Sequence, residues 1–163
     1  MAGDMFLYID GIKGESTDDA HKEWIELESW SFGMNQRSSG SAKSTGGART
    51  AERVDISDIV VTKQIDKASA PLAFHCANGK HIKEVKIEVC RASEKKEKYY
   101  EILMNDVLVS SVQPSQATGS IPTESISFDP GRIEWIYVEM DHKTGKPKGP
   151  IQHHWDMTAN KGG

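Results

Sequence analysis

Two cysteines among 163 residues, no long apolar run and no surplus of positive charge narrow the field before any motif is read. A small disulfide scaffold carries many more cysteines, and a chain of this length can bury a core without staples. Cys76 and Cys90 could pair in principle, but two buried thiols are the expected state in a chain without a secretory signal. The opening MAGDMFLYIDG has neither a basic n-region nor an apolar run long enough to span a bilayer. The expectation is therefore a chain made in the cytoplasm, with no signal peptide and no membrane insertion. The net charge of -4 comes from 24 acidic and 20 basic residues spread along the chain, so no basic stripe recommends a nucleic acid as partner.

What is present reads as strands around one short helix, in a single domain over residues 1–163. Ser69 is placed to accept a bond from an amide of a first helical turn, and Pro71 sits where its missing N–H costs nothing. Leu72, Ala73, Cys76 and Ala77 then share one face, and Gly79 supplies the left-handed stop. Beyond it Val85, Ile87 and Val89 alternate with Lys86, Glu88 and Cys90, the period of a half-buried strand. Met5 to Ile9, Trp24 to Met34, Val54 to Gln64, Tyr99 to Val112, Ile126 to Phe128 and Ile133 to Met140 read as further strands. A last short one is expected over Gln152 to Met157, in a C-terminal segment of residues 151–163. Asp129-Pro130-Gly131 reads as a turn, Thr144 to Pro150 as a linker and Glu15 to Lys22 as a polar loop.

Several strands change the parity of their apolar residues. Ile25 and Leu27 are odd, whereas Trp30, Phe32 and Met34 are even, so a bend, or a crossing between packed surfaces, is expected near Glu28-Ser29. Similar switches lie between Ile56 and Ile59 and at Asn105-Asp106. Repeated switching favours strong curvature, and about seven or eight strands are expected in a mainly β, antiparallel β-barrel made of two curved sheets. Residues 37–53, RSSGSAKSTGGARTAER, hold no large apolar side chain and are expected to form a long extended loop.

No motif for chemistry emerges. His75 and Cys76 point about 100° apart on a helix and cannot both face one ion without distortion. His153 and His154 would point to opposite faces of a strand, and His21 and His142 fall in polar turns where solvation is expected. There is no nucleophile elbow and no phosphate loop. Catalytic, cofactor-binding and metal-binding residues are accordingly expected to be absent, and the protein is not read as an enzyme. Trp24, Trp30, Trp135 and Trp155 are expected to anchor the core. If Trp30 and Phe32 point inward, then Ser29, Ser31, Gly33 and Asn35 form a small polar row on the other face. That row is wet surface in a monomer, and the wall of a channel in a closed ring.

Specific segments carry a family resemblance: DGIKGES (Asp10 to Ser16), HKEWIE (His21 to Glu26), TKQIDKASAPL (Thr62 to Leu72), NGKHI (Asn78 to Ile82), DVLVSSV (Asp106 to Val112), PTESISF (Pro122 to Phe128) and WDMTANK (Trp155 to Lys161). In this order they resemble the Hcp family, the haemolysin-coregulated tube proteins of type VI secretion in Gram-negative bacteria. The resemblance implies a small β-barrel with a flanking helix, assembled into a homohexameric ring. It implies that rings stack into a tube inside a contractile sheath, that a trimeric spike protein caps the tube, and that it is secreted without a signal peptide, carrying small effector proteins in its lumen. On this reading Ser29 and Ser31 would face the lumen. The 37–53 loop, with Ser38, Ser39, Gly40, Lys43, Gly46, Gly47 and Arg49, would mediate ring stacking. Some family members carry catalytic extensions; here only a Gly/Lys tail follows WDMTANK, so none is expected. The rival reading is a monomeric β-barrel that binds proteins without forming a tube.

Overall fold

The computed structural model describes residues 3–36 and 53–163, together with the backbone of two short strands at Ser38–Ser39 and Thr50–Ala51. Its first elements are β1 (Asp4–Ile9), β2 (Ile25–Glu26), β3 (Ser29–Ser31), β4 (Met34–Asn35), β5 (Ser38–Ser39), β6 (Thr50–Ala51), β7 (Asp55–Ile56) and β8 (Ile59–Gln64). Helix α1 (Ser69–Asn78) follows, then β9 (Ile82–Cys90), β10 (Lys98–Ser115), β11 (Thr123–Met140), β12 (Pro147–Asp156) and β13 (Lys161–Gly162). The larger number of strands than the sequence suggested comes from two-residue pairs, such as β4 with β7 and β5 with β6. Of the 37–53 excursion, β5 and β6 are paired antiparallel. The linker expected over Thr144 to Pro150 is half strand, because β12 begins at Pro147.

All pairings are antiparallel. The main sheet runs β13-β12-β11-β10-β9-β1-β2, while β8 joins the first half of β11 and carries β3 on its far side. The Ile25–Ser31 segment links the two ends. Leu27 N–H bonds Met5 O at 2.9 Å, and Glu28 N–H bonds Thr62 O at 2.8 Å. The chain thus crosses from β1 to β8 within two residues, which is the physical cause of the parity switch read near Glu28-Ser29. Two curved sheets result, sharing β10 and β11, rather than a ladder closed on itself.

β10 and β11 change face together. Met104 and Val107 are both buried on β10, as are Pro130 and Ile133 on β11, although each pair is three residues apart. At the switch Asp106 takes a φ of 52°, and opposite it a Cβ on Gly131 would lie 2.9 Å from the Asp106 carboxylate. A side chain at 131 would press on the Asp106 side chain, so glycine suits the position. The expected turn at Asp129-Pro130-Gly131 is therefore a bend inside one continuous 18-residue strand. The bend wraps the sheet over Leu7, Ile59, Val61, Ile87, Ile102, Ile126 and Phe128, each essentially inaccessible.

The helix stops as expected: Gly79 has a φ of 67° and its N–H bonds His75 O at 3.1 Å. Its start differs. Ser69 is the first helical residue, and the upstream cap is Asp66, whose Oδ1 accepts the Ala68 N–H at 2.9 Å while Ser69 Oγ accepts the Asp66 N–H at 3.0 Å. This is the reciprocal logic of a capping box, displaced three residues upstream. Of the expected apolar face only Leu72 is buried; Cys76 is half-buried, and Ala73 and Ala77 are exposed.

Candidate functional site

Ser29 and Ser31 lie exposed on β3, flanking a half-buried Trp30 that stacks on Tyr100 with ring centroids 5.8 Å apart. The polar row read from sequence stops there: Gly33 belongs to a connection held by Ser57, and Met34, of the same parity as Trp30 and Phe32, is 44% exposed. The row widens across strands instead. Pairing register places Ser29 beside Thr62, Ser125 and Gln113, and Ser31 beside Val60, Ser127 and Ser111. A third row sets Gln64 beside Thr123 and Ser115. Successive residues of a strand point to opposite faces, and the intervening Ile59, Val61, Ile126 and Phe128 fill the core, so all three rows share the outer face.

That face is four strands wide and carries no ionisable side chain in the three rows. Its hydroxyls are donors and acceptors together; Ser111 Oγ donates to Ser127 Oγ at 2.8 Å. Charge begins at its two ends, where the Glu28 carboxylate accepts from Gln64 Nε2 at 3.4 Å and the Asp58 carboxylate accepts from Ser110 Oγ at 2.6 Å. Nearby, burial first and the charge of Asp58 second raise the Asp129 carboxyl above its usual range. Sequence reading named only Ser29 and Ser31. The remaining residues were signalled by the serines alternating with Ile126 and Phe128, but their adjacency needed the register of four strands.

One buried polar cluster lies behind this face and a second on the outer side of β1. Lys63 Nζ, fully buried, reaches Glu124 Oε1 at 2.5 Å, Asp66 Oδ1 at 2.7 Å and Gln64 O at 3.0 Å, while Ser69 Oγ donates to Glu124 Oε1 at 2.6 Å. The cluster ties β8, β11 and the start of α1 together, and the compensating hydrogen bonds are what make such burial tolerable. The second cluster corrects an expectation: His21 is not solvated but 3% exposed. It stacks on Phe6 with centroids 4.0 Å apart, and its ring nitrogens face Asp18 at 2.7 Å and Glu88 at 3.4 Å. The bond to His21, followed by Lys96, lowers the Asp18 carboxyl below its usual range. Cys90 Sγ lies 3.9 Å from His21 Nε2, but burial pushes its thiol up to about 11, so a Cys-His-Asp array that resembles a nucleophilic site holds an inert, inaccessible thiol.

The other sequence candidates disperse. His75 bonds Pro71 O, His81 bonds Asp106, and both cysteines are free, with only Cys90 fully buried. Among the described residues no three His, Cys, Asp or Glu side chains converge for a metal ion. Trp30, Trp135 and Trp155 pack against the core, whereas Trp24 lies on the opposite side of β1 with Tyr8 and His21. Of the proposed stacking residues, Ser38 and Ser39 pair with Ala51 and Thr50, whereas Gly40, Lys43, Gly46, Gly47 and Arg49 lie outside the described residues.

Comparison with known proteins adds a family. Residues 6–137 match the family described as "Type VI secretion system effector, Hcp". Over 162 residues, 98% of each chain, the sequence is 35% identical to protein hcp1 of Pseudomonas aeruginosa. Among solved structures, a type six secretion system protein superposes with a TM-score of 0.91 at 32% identity, covering 99% of this chain and 100% of that one. Hcp1 from Salmonella typhimurium gives 0.80 at 32% identity, with 99% of each chain covered.

Proposed function

This chain belongs to the Hcp family of type VI secretion proteins, and from that premise we propose that it forms hexameric rings that stack into a secreted tube and carry small effector proteins in the lumen. The observation that carries the lumen assignment is the uncharged hydroxyl face centred on Ser29, Ser31, Ser125 and Ser127. In a ring, one such face per subunit gives a wall that hydrogen-bonds many surfaces without selecting them by charge, and side chains this small leave the bore open. The sequence between β5 and β6 holds Ser, Gly, Lys and Arg with no large apolar side chain, which suits a contact with the next ring. A contractile sheath outside and a spike at the tip complete the assembly. Among the described residues no helix is long and apolar enough to cross a membrane.

The test is a bulky substitution on the face. Ser31→Trp should leave the ring intact by native mass spectrometry while reducing the effector that co-purifies with it. Undiminished retention in an intact ring would remove Ser31 from the lumen wall.

A further inference from the structure

A hollow walled by aromatic rings lies on the outer side of β1, between the turn that follows this strand and the turn that leads into β2. Its volume is about 210 Å³. The walls are the half-buried Tyr8 and Trp24, with ring centroids 5.3 Å apart and planes inclined by 46°, and buried Ile12 adds to the apolar lining. Lys13, Lys22 and Glu23 stand exposed at its rim.

Backbone bonds lace the two turns together, so the hollow is formed without a ligand. Gly14 N–H bonds Glu23 O at 2.7 Å, Ser16 N–H bonds Trp24 O at 3.0 Å and Glu23 N–H bonds Ser16 O at 2.9 Å. A Cβ on Gly14 would collide with Trp24 O, so glycine is needed for this close approach. Glu23 takes a φ of 65°, a left-handed conformation uncommon outside glycine. Behind the indole, His21 packs edge-on with centroids 4.8 Å apart and is itself stacked on Phe6, which fixes the position of Trp24.

The unmatched charge at the rim is positive, on a chain whose net charge is -4. Lys13 is paired with Glu23 at 3.1 Å, whereas Lys22 has no carboxylate partner among the described residues. From β9, Lys86 Nζ lies 5.6 Å from the Tyr8 ring centroid and pairs with Glu84 at 3.2 Å.

We propose that this hollow binds an acidic sugar residue, its pyranose ring resting on Tyr8 and Trp24 and its carboxylate against Lys22. One chain supplies every group, so the site does not depend on the ring reading. Three features select this class of ligand. The C–H bonds on one face of a pyranose carry positive partial charge, which suits the electron-rich faces of aromatic rings. Rings inclined by 46° make a wedge that a puckered ring touches on both sides, whereas a flat aromatic ligand could lie parallel to only one of them. The volume falls below the roughly 300 Å³ at which pockets for drug-sized ligands begin, which suits a single sugar unit better than a nucleotide.

Saturation-transfer difference NMR on the full chain tests the site, with galacturonate as probe and galactose and benzoate as controls. Galactose lacks the charge, and benzoate lacks the puckered ring. Saturation should reach the ring protons of galacturonate, and galactose should bind about tenfold more weakly or worse, as expected for loss of a charge-assisted hydrogen bond. Lys22→Glu alters an exposed side chain, so it should keep the melting temperature while weakening galacturonate by at least as much. Trp24→Leu should abolish the signal, and if that variant is unstable Lys22→Glu still decides. A galacturonate chain of three units that binds more tightly than the single unit would identify a polysaccharide as the source; equal affinity would identify a free sugar acid. No saturation of galacturonate, wild-type affinity in Lys22→Glu, or benzoate binding as tightly as galacturonate would overturn the proposal.

Discussion

Lys63 offers the sharpest test of how the fold is held. Its ammonium is fully buried and shared between Glu124, itself 3% exposed, and Asp66. Lys63→Met keeps most of the aliphatic volume but leaves the Glu124 carboxylate with only the Ser69 hydroxyl at 2.6 Å as donor. Removing one partner of a buried pair typically costs about 3–5 kcal/mol, because the remaining charge has lost its compensation. For a domain of this size that corresponds to a melting temperature about 6–20 °C lower. Lys63→Met/Glu124→Gln removes the orphaned charge while leaving an amide oxygen for Ser69, and should recover about 2 kcal/mol of the loss. Urea unfolding at one fixed protomer concentration measures both, since assembly adds its own concentration-dependent stability. A single variant that loses less than about 1 kcal/mol, or a double variant no better than the sum of its parts, would refute the assignment of this cluster as a coupled buried ion pair.

Other expectations follow from the same structure. Deleting Ser38 to Thr50 should shorten polymers of stacked rings in electron micrographs while rings persist; unchanged polymer length would remove the loop from the stacking contact. With its thiol held near 11 and wholly buried, Cys90 should resist a thiol-reactive dye at pH 8 while half-buried Cys76 reacts, giving one label per native chain and two after unfolding; two native labels would contradict the burial. Because the Cys90 thiol is raised on folding, its contribution is complete below about pH 9 and is lost as pH rises towards 11. The wild type should therefore lose about 2–3 kcal/mol more than Cys90→Ala across that window, and parallel pH profiles would contradict it.

Much of the architecture was legible in side-chain parity. The switch from Leu27 to Trp30 marked the crossing from β1 to β8, and the switch from Met104 to Val107 marked the bend at Asp106. What parity could not show was that β11 bends at the same point, because Asp129-Pro130-Gly131 carries the chemistry of a turn; only the continuous pairing with β10 reveals a strand. His21 was misread for a related reason. Its neighbours are polar, but Phe6, at the opposite parity to Leu7 and Ile9, needed a cover on the outer side of β1, and the loop folds back to supply it. The helix face failed because Ala73 and Ala77 are apolar yet too small to require burial.

The candidate site was half legible. Ser29 and Ser31 stood out on their strand, whereas Thr62, Ser111, Ser125 and Ser127 join them only through register between residues far apart in sequence. The resemblance segments serve another role: HKEWIE holds His21, TKQIDKASAPL holds Lys63, Asp66 and Ser69, and PTESISF holds Glu124. These signature residues build the two buried clusters as well as bordering the proposed lumen, so the family is recognisable from what holds its fold together.

The most direct measurement is the native mass of the purified chain across a range of concentrations. A hexamer that persists on dilution is the result this account expects. A folded monomer at every concentration would contradict it and leave a β-rich binding module in its place.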